Sequence, residues 1–344
     1  MCPTRIRDIF MRKIAVVLSL LICSAAFIGC GKDGENESND GGQGGSTPIN
    51  GSVQLTKYFS WNVSDYQDCT RPSLNNASIS WQDGKLISVD LETTAWSYRL
   101  SYRGDALANV LVTPPNGEPY YVYLDYVAGF LMSSYIGQDP DNRTIYSYNT
   151  AGELVRIDNI KTKTNGRMDL VLTWENGNVI QEDLYYRGGD LYSSYTYTYD
   201  EKPSTYQGCE GLGLAIGNTA MMSKNNRVST TNVMSGERIE RECFYKGDQL
   251  IKTVARDTSI IVEVQCFSWS NGIAAEIPQM HTITVTGGNP SLGGGVYVHG
   301  CTARILAIPN QPTHFSQWTD GNTDNPRDVL VTSDSTFSAV LELK

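Results

Sequence analysis

A short hairpin pattern recurs along most of the chain and limits what it can fold into. Each copy has an aromatic residue ending one strand, a tight Gly, Asp or Asn turn, and an apolar residue opening the next strand. Asp-Gly, Asn-Gly and Gly-Gly turns supply the positive φ angles that tight hairpin turns require. Repeated hairpins without a long helical period predict an all-β fold, an antiparallel hairpin meander. The copies lie at 81–86, 102–107, 148–154, 174–179, 186–191 and 245–250.

The pattern ends near Pro278, where the composition of the chain changes. Residues 281–286 alternate as a strand, 287–295 are rich in turn residues, and Trp318 precedes an Asp-Gly turn near the end of the chain. We therefore expect one antiparallel β domain over 52–277, followed by a small β module over 278–344. In that module we expect Trp318 to be a core residue, because it sits on a strand just before a turn.

Both parts resemble known families. The hairpin turns, the Tyr-Thr-Tyr-Thr-Tyr-Asp-Glu-Lys segment at 195–202 and residues 223–226 resemble YD repeats of RHS-type proteins. They are closer still to an uncharacterised YD-like domain of Bacteroidota lipoproteins. Residues 278–344 resemble the divergent internalin B-repeat, of which Trp-Thr-Asp-Gly at 318–321 is the most specific part; Cys301 replaces a residue that is usually small and polar there. These resemblances imply a fold and almost no function.

The first thirty residues carry the features of an export signal. A basic segment at 11–13 precedes an apolar run at 14–22, and the small or apolar residues 24–29 end at Cys30. This arrangement resembles the lipobox of bacterial lipoproteins, with Phe27 where that family usually has Leu. It predicts a signal peptide over 1–29, with 1–10 an upstream start artefact, and lipidation of Cys30. The alternative, a transmembrane helix, needs more than the roughly 15 apolar residues present.

Residues 30–51 are a Gly-, Asn-, Asp- and Ser-rich segment with almost no large apolar side chains, which predicts a flexible spacer. Lys32, Asp33 and Glu35 resemble the acidic signal that sends Bacteroidota-type lipoproteins to the cell surface. The predicted location is therefore the outer membrane, lipid-anchored and exposed at the surface. Acidic residues outnumber basic ones, 37 to 27, for a formal net charge of −10. This balance argues against nucleic acid as a partner.

Cysteine and histidine give little indication of chemistry. An odd number of cysteines follows Cys30, without a metal-binding spacing, so their pairing stays open: Cys69, Cys209, Cys243, Cys266 and Cys301. Cys243 and Cys266 precede equivalent turns, which predicts buried thiols on alternate strands rather than a disulfide. The histidines all fall after residue 278. A metal site is one reading of them, but we expect ordinary strand and loop residues, with no metal and no cofactor: His281, His299 and His314.

Carboxylates and tyrosines are the remaining candidates for function. A glycoside hydrolase would need two carboxyl groups about 5 to 9.5 Å apart, and four acidic residues lie on or near predicted strands: Asp125, Glu182, Asp183 and Asp200. Nothing selects two of them, so we expect no enzymatic activity.

Tyrosines alternate with other residues on two strands and so share a face, both at 195–199 and, with Asp125, at 121–125. Tyr195, Tyr197 and Tyr199 are the candidate ligand-binding residues, stacking against sugar rings. Cross-strand packing in the hydrophobic layer is the other explanation. The predicted function is non-catalytic binding or adhesion at the cell surface, to a glycan, a host polymer or a protein. The alternatives are a tethered polysaccharide-degrading enzyme and a structural component of an envelope assembly.

Overall fold

The structure is a computed structural model that describes residues 53–63, 68–137, 143–161, 167–205 and 219–344. The predicted signal peptide, Cys30, the spacer and Cys209 lie outside these ranges. Within them, sixteen antiparallel strands form a closed barrel. The barrel strands are β1 (Leu55–Asn62), β2 (Ser73–Gln82), β3 (Lys85–Leu91), β4 (Trp96–Arg103), β5 (Ala106–Thr113), β6 (Tyr120–Val127), β7 (Phe130–Ile136), β8 (Thr144–Tyr148), β9 (Leu154–Lys161), β10 (Arg167–Glu175), β11 (Asn178–Tyr186), β12 (Leu191–Pro203), β13 (Asn225–Asn232), β14 (Arg238–Lys246), β15 (Gln249–Asp257) and β16 (Ile260–Trp269).

The predicted fold class, a meander followed by a small module, is wrong because the meander closes. From β2 to β16 each strand pairs with its neighbours in chain order, as a meander does, but β1 pairs with both β2 and β16. Leu55 lies opposite Trp269 and Asn62 opposite Glu263 along this closing pair. Closure removes both sheet edges, whose unpaired backbone groups would otherwise be open to other chains.

The hairpin turns adopt the backbone geometry that their sequences predict. Asp83 and Gly84 have φ values of 52° and 76°, and Asn176 and Gly177 have values of 52° and 78°. Two successive positive φ angles define a type I′ turn, whose twist matches that of the flanking strands. The six predicted turn segments each connect two paired strands.

The structure also explains why an aromatic residue precedes so many of the turns. The indole N–H of Trp81 donates to the carbonyl of Leu55 at 2.8 Å, and that of Trp174 donates to Leu154 at 2.6 Å. Equivalent bonds run from the Tyr102 hydroxyl to the Leu86 carbonyl at 2.9 Å, from Tyr148 to Leu131 at 3.0 Å and from Trp269 to Leu250 at 2.9 Å. Each ring fills the barrel interior while its polar atom bonds to the strand before it.

The two faces of the barrel wall differ in polarity. Side chains from strands all around the ring meet in one buried apolar cluster, which includes Leu86, Leu107, Ile157 and Phe267 and marks the inside. The residues between them face outward and form exposed ion pairs: Arg99–Asp90 at 2.7 Å, Arg156–Asp169 at 3.1 Å and Arg238–Glu240 at 3.0 Å. The outer face is therefore largely polar. A barrel embedded in lipid has the opposite arrangement, an apolar outer band around a polar interior.

The C-terminal residues form two smaller sheets. Their strands are β17 (Met280–Thr286), β18 (Ser291–Leu292), β19 (Gly295–Val298), β20 (Thr302–Ala307), β21 (Thr313–Trp318), β22 (Arg327–Leu330) and β23 (Ser335–Leu343). The sheet orders are β19-β17-β23-β21 and β18-β20-β22. Trp318 is fully buried, as its position before the turn predicts.

These sheets share a second apolar cluster with the outer face of the barrel. Trp61 on β1 and Cys266 on β16 contribute from the barrel, and Tyr297, Ile305 and Trp318 contribute from the C-terminal sheets. The C-terminal sheets therefore lie over the barrel next to the closing pair of strands. In the described residues, no helix is long and apolar enough to cross a membrane.

Candidate functional site

The tyrosines predicted to bind a ligand lie on the inner face of the barrel. Tyr197 is only 7% exposed and belongs to the interior apolar cluster, against which Tyr195 and Tyr199 also pack. The Tyr199 hydroxyl donates to the carbonyl of Val179 at 2.5 Å, repeating the bond made by the other aromatic residues that line the barrel. In these positions the three rings pack in the barrel interior. They do not form the open platform that sugar stacking requires.

Tyr197 is part of a buried polar group. Its hydroxyl donates to Glu182 at 3.1 Å, and the Arg227 guanidinium lies 3.4 Å from its ring centre. Burial, and then the Glu182 carboxylate, raise the pKa of Tyr197 well above its ordinary value. The positive charge of Arg227 therefore faces both a π-system and a carboxylate, which offsets the cost of removing it from water.

A partly exposed set of stacked tyrosines lies instead on the outer face, at Tyr121, Tyr123 and Tyr135. The ring centres of Tyr121 and Tyr123 are 5.7 Å apart with planes at 27°, and those of Tyr123 and Tyr135 are 5.2 Å apart with planes at 23°. We call these three residues the tyrosine column. Tyr121 ends the column and is 42% exposed. One face of its ring is not covered by another tyrosine, while Tyr123 and Tyr135 are half-buried.

A charged group closes the other end of the tyrosine column. The guanidinium of Arg143 lies 4.8 Å from the centre of the Tyr135 ring and also donates to Asp125. Ser133 joins the pair, accepting from Arg143 at 2.7 Å and lying 3.3 Å from Asp125. Stacking and ion pairing together hold these side chains in place, so a ligand would meet a preorganised surface.

The sequence indicated only part of this surface. The alternation of Tyr121, Tyr123 and Asp125 was visible, but Tyr135 and Arg143 join them only through the pairing of β6 with β7 and the chain that follows. Tyr123 lies opposite Tyr135, and Asp125 lies opposite Ser133. That register depends on the turn between the two strands. The turn is Ala-Gly at 128–129, which is not one of the Asp-Gly, Asn-Gly or Gly-Gly dipeptides typical of two-residue hairpins.

The four candidate carboxylates make separate contacts. Glu182 accepts from Tyr197 inside the barrel, while its neighbour Asp183 faces outward and accepts from Gln181 at 2.9 Å. Asp200 accepts from the Tyr245 hydroxyl, and Asp125 accepts from Arg143. An open groove of about 420 Å³ lies between Arg71 and the strands β17 and β19, and among the described residues no carboxylate lines it.

Three of the described cysteines are free thiols: Cys243, Cys266 and Cys301. Cys69 is buried. β15 lies between the strands of Cys243 and Cys266, as their positions predict. The two thiols project to opposite faces of the wall, Cys243 toward the interior cluster and Cys266 toward the C-terminal sheets. Burial raises the pKa of each to about 11, so both stay protonated near neutral pH.

The histidines are divided between two places. His281 and His299 come together, with Nε2 of the first 3.0 Å from Nδ1 of the second. His314 lies apart, on β21, with Nε2 4.0 Å from a Glu342 oxygen.

Comparison with known proteins gives structural likeness only. No family model matches the chain, and no curated protein matches it. Among solved structures, a porin-like protein from Bacteroides uniformis is 12% identical with a TM-score of 0.42, covering 63% of this chain and 98% of that one. A porin-like protein from Bacteroides vulgatus is 6% identical with a TM-score of 0.33, covering 62% and 97%. The TcdB2-TccC3-Cdc42 structure is 14% identical with a TM-score of 0.25, covering 76% of this chain and 12% of that one. Likeness at this level identifies neither a family nor a function.

Proposed function

We propose that this chain is a lipoprotein of the outer membrane, anchored through Cys30, whose barrel binds a carbohydrate polymer without catalysis. The lipobox-like sequence ending at Cys30 supports the anchor, and the acidic residues after it support display at the cell surface. The polar outer wall of the barrel supports a domain that stands in water beside the membrane.

The observation that carries the binding role is the partly exposed tyrosine column on this outer wall. The free face of Tyr121 offers a stacking position for one sugar ring, since aromatic faces pair with the C–H faces of sugars. The hydroxyl edges of Tyr123 and Tyr135, with Asp125 and Arg143 beside them, supply donors and acceptors for sugar hydroxyls. Because only one ring face is open, each contact is weak, and a polymer that engages several anchored copies would be held more strongly than a single copy holds it.

The proposal is tested by glycan-array screening of the purified protein, followed by affinity electrophoresis in the best polysaccharide. Tyr121→Ala should weaken retention about fivefold or more, since base–aromatic and similar stacking contacts contribute on the order of 1–3 kcal/mol. Its thermal stability should change little, because the ring is exposed.

Phe244→Ala is the matched control. Phe244 also lies on the outer wall, is 37% exposed, and has the Lys252 ammonium 5.6 Å from its ring centre. Equal losses in both variants, or no retained polysaccharide at all, would reject the tyrosine column as the binding site. Release of new reducing ends from the polysaccharide would instead indicate a tethered degrading enzyme.

A further inference from the structure

The His281–His299 pair has the arrangement of two metal ligands. His281 lies on β17 and is 8% exposed, while His299 follows β19 and is exposed to solvent. The backbone fixes their approach, because Tyr297 lies opposite His281 and the His299 N–H donates to the Gln279 carbonyl at 2.8 Å. The two facing nitrogens are 3.0 Å apart, and the ring centres are 5.2 Å apart with planes at 53°.

These distances are close to those of two imidazoles on one metal ion. On a tetrahedral zinc ion with Zn–N bonds of about 2.05 Å, two ligating nitrogens lie about 3.3 Å apart and the ring centres about 5.2 Å apart. The ring centres therefore stand at the metal-bound separation already. When both rings tilt about their centres, two bonds from the facing nitrogens to a metal ion replace the hydrogen bond between those nitrogens.

Asp334 lies near the nitrogen of His281 that points away from His299. Its Oδ1 lies 3.7 Å from Nδ1 of His281, on the side of the ring away from His299, and accepts from the Thr282 N–H at 2.7 Å. This distance is beyond that of a hydrogen bond, so the carboxylate places a negative charge near the ring without fixing its tautomer. Nε2 is the atom that faces His299.

We propose that His281 Nε2 and His299 Nδ1 chelate a divalent transition-metal ion such as zinc. No group of three or more His, Cys, Asp or Glu side chains is arranged for a metal in the described residues. The site is therefore bidentate, and water completes the coordination, so the ion exchanges readily. This departs from the sequence expectation of no metal, because the sequence places the two histidines 18 residues apart and only the pairing of β17 with β19 brings them together.

The test is isothermal titration of tag-free full-length protein with zinc chloride at pH 7.5, beside a thermal melt with and without zinc. The protein should bind one zinc ion saturably, and its melting temperature should rise with zinc concentration.

His299→Ala is the decisive variant, since His299 is exposed and its loss leaves the buried His281 in place. It should weaken zinc binding at least about tenfold, the lower end of the effect of losing a metal-site partner, and abolish the rise in melting temperature. His314→Ala is the matched control and should bind zinc as the unchanged protein does. Absence of saturable binding, or equal binding by His299→Ala, would overturn the proposal and leave only a hydrogen-bonded histidine pair.

Discussion

Trp61 should couple the C-terminal sheets to the barrel. It lies on the first barrel strand, is fully buried, and projects from the outer wall into the shared apolar cluster. Its indole N–H donates to the Val296 carbonyl at 2.8 Å, and its ring centre is 6.0 Å from that of Tyr297. All of these contacts cross between the two parts of the structure.

The cost of removing this side chain follows from its contacts. Replacing a buried Trp by Ala typically costs about 3–5 kcal/mol. Leaving the Val296 carbonyl without its donor accounts for about 1–3 kcal/mol of such a loss, and the ring pair with Tyr297 for about 0.5–1.5 kcal/mol. Because these contacts lie outside the barrel interior, we expect Trp61→Ala to release the C-terminal sheets before it unfolds the barrel.

Limited proteolysis with mass-spectrometric mapping, together with urea unfolding, measures this outcome. Trp61→Ala should be cleaved faster between β16 and β17, where Ile277 is 59% exposed, and should unfold in two steps. Trp81→Ala is the control, since the Trp81 indole makes a bond of the same length, 2.8 Å, inside the barrel. It should lower the stability of the barrel without favouring that cleavage. A single transition and an unchanged cleavage rate in Trp61→Ala would refute the coupling.

Two further outcomes can be measured directly. Cys30→Ala should abolish labelling by palmitate and leave the protein uncleaved or released, and unchanged labelling would contradict the lipoprotein assignment. Burial raises the pKa of Tyr146 to about 12. The contribution of the neutral Tyr146 side chain to the free energy of unfolding is therefore complete below pH 10, the ordinary pKa of tyrosine, and is lost as the pH rises from 10 through 12. Tyr146→Phe should therefore reduce the loss of stability between pH 9 and pH 12 by about 2–3 kcal/mol, since one pKa unit corresponds to about 1.4 kcal/mol. Urea unfolding at both pH values checks this, and an identical decline in the two proteins would count against it.

Local features of the fold were predictable from the sequence, and the closure of the barrel was not. Turn geometry depends on two or three residues, so Asp83-Gly84 and Asn176-Gly177 specify their hairpins directly. The pairing of β1 with β16 has no local signal, because it joins residues as far apart as Leu55 and Trp269. An open meander and a closed barrel share every hairpin, and they differ only in that last pair.

The residues between the tyrosines indicate whether the tyrosine side chains face the inside or the outside of the barrel. Tyr121 and Tyr123 alternate with Val122 and Leu124, which are more apolar and take the inside of the barrel, so the tyrosines face out. The tyrosines at 195–199 alternate with threonines, so here the aromatic rings are the more apolar set and face in. Comparing the two faces of each strand, rather than counting aromatic residues on one face, distinguishes the two cases.

Closure by the first and last barrel strands has a consequence for biogenesis. Hairpins from β2 onward can form as soon as their own residues are free to pair, whereas the second edge of β1 must wait for β16. During that interval β1 carries an unpaired edge together with Phe59 and Trp61, which are buried only in the finished protein. Such an edge is a site for pairing between chains. The C-terminal sheets, synthesised after the barrel, cover this region of its wall, so a chain that stops before residue 278 would close its barrel and still expose an adhesive apolar patch.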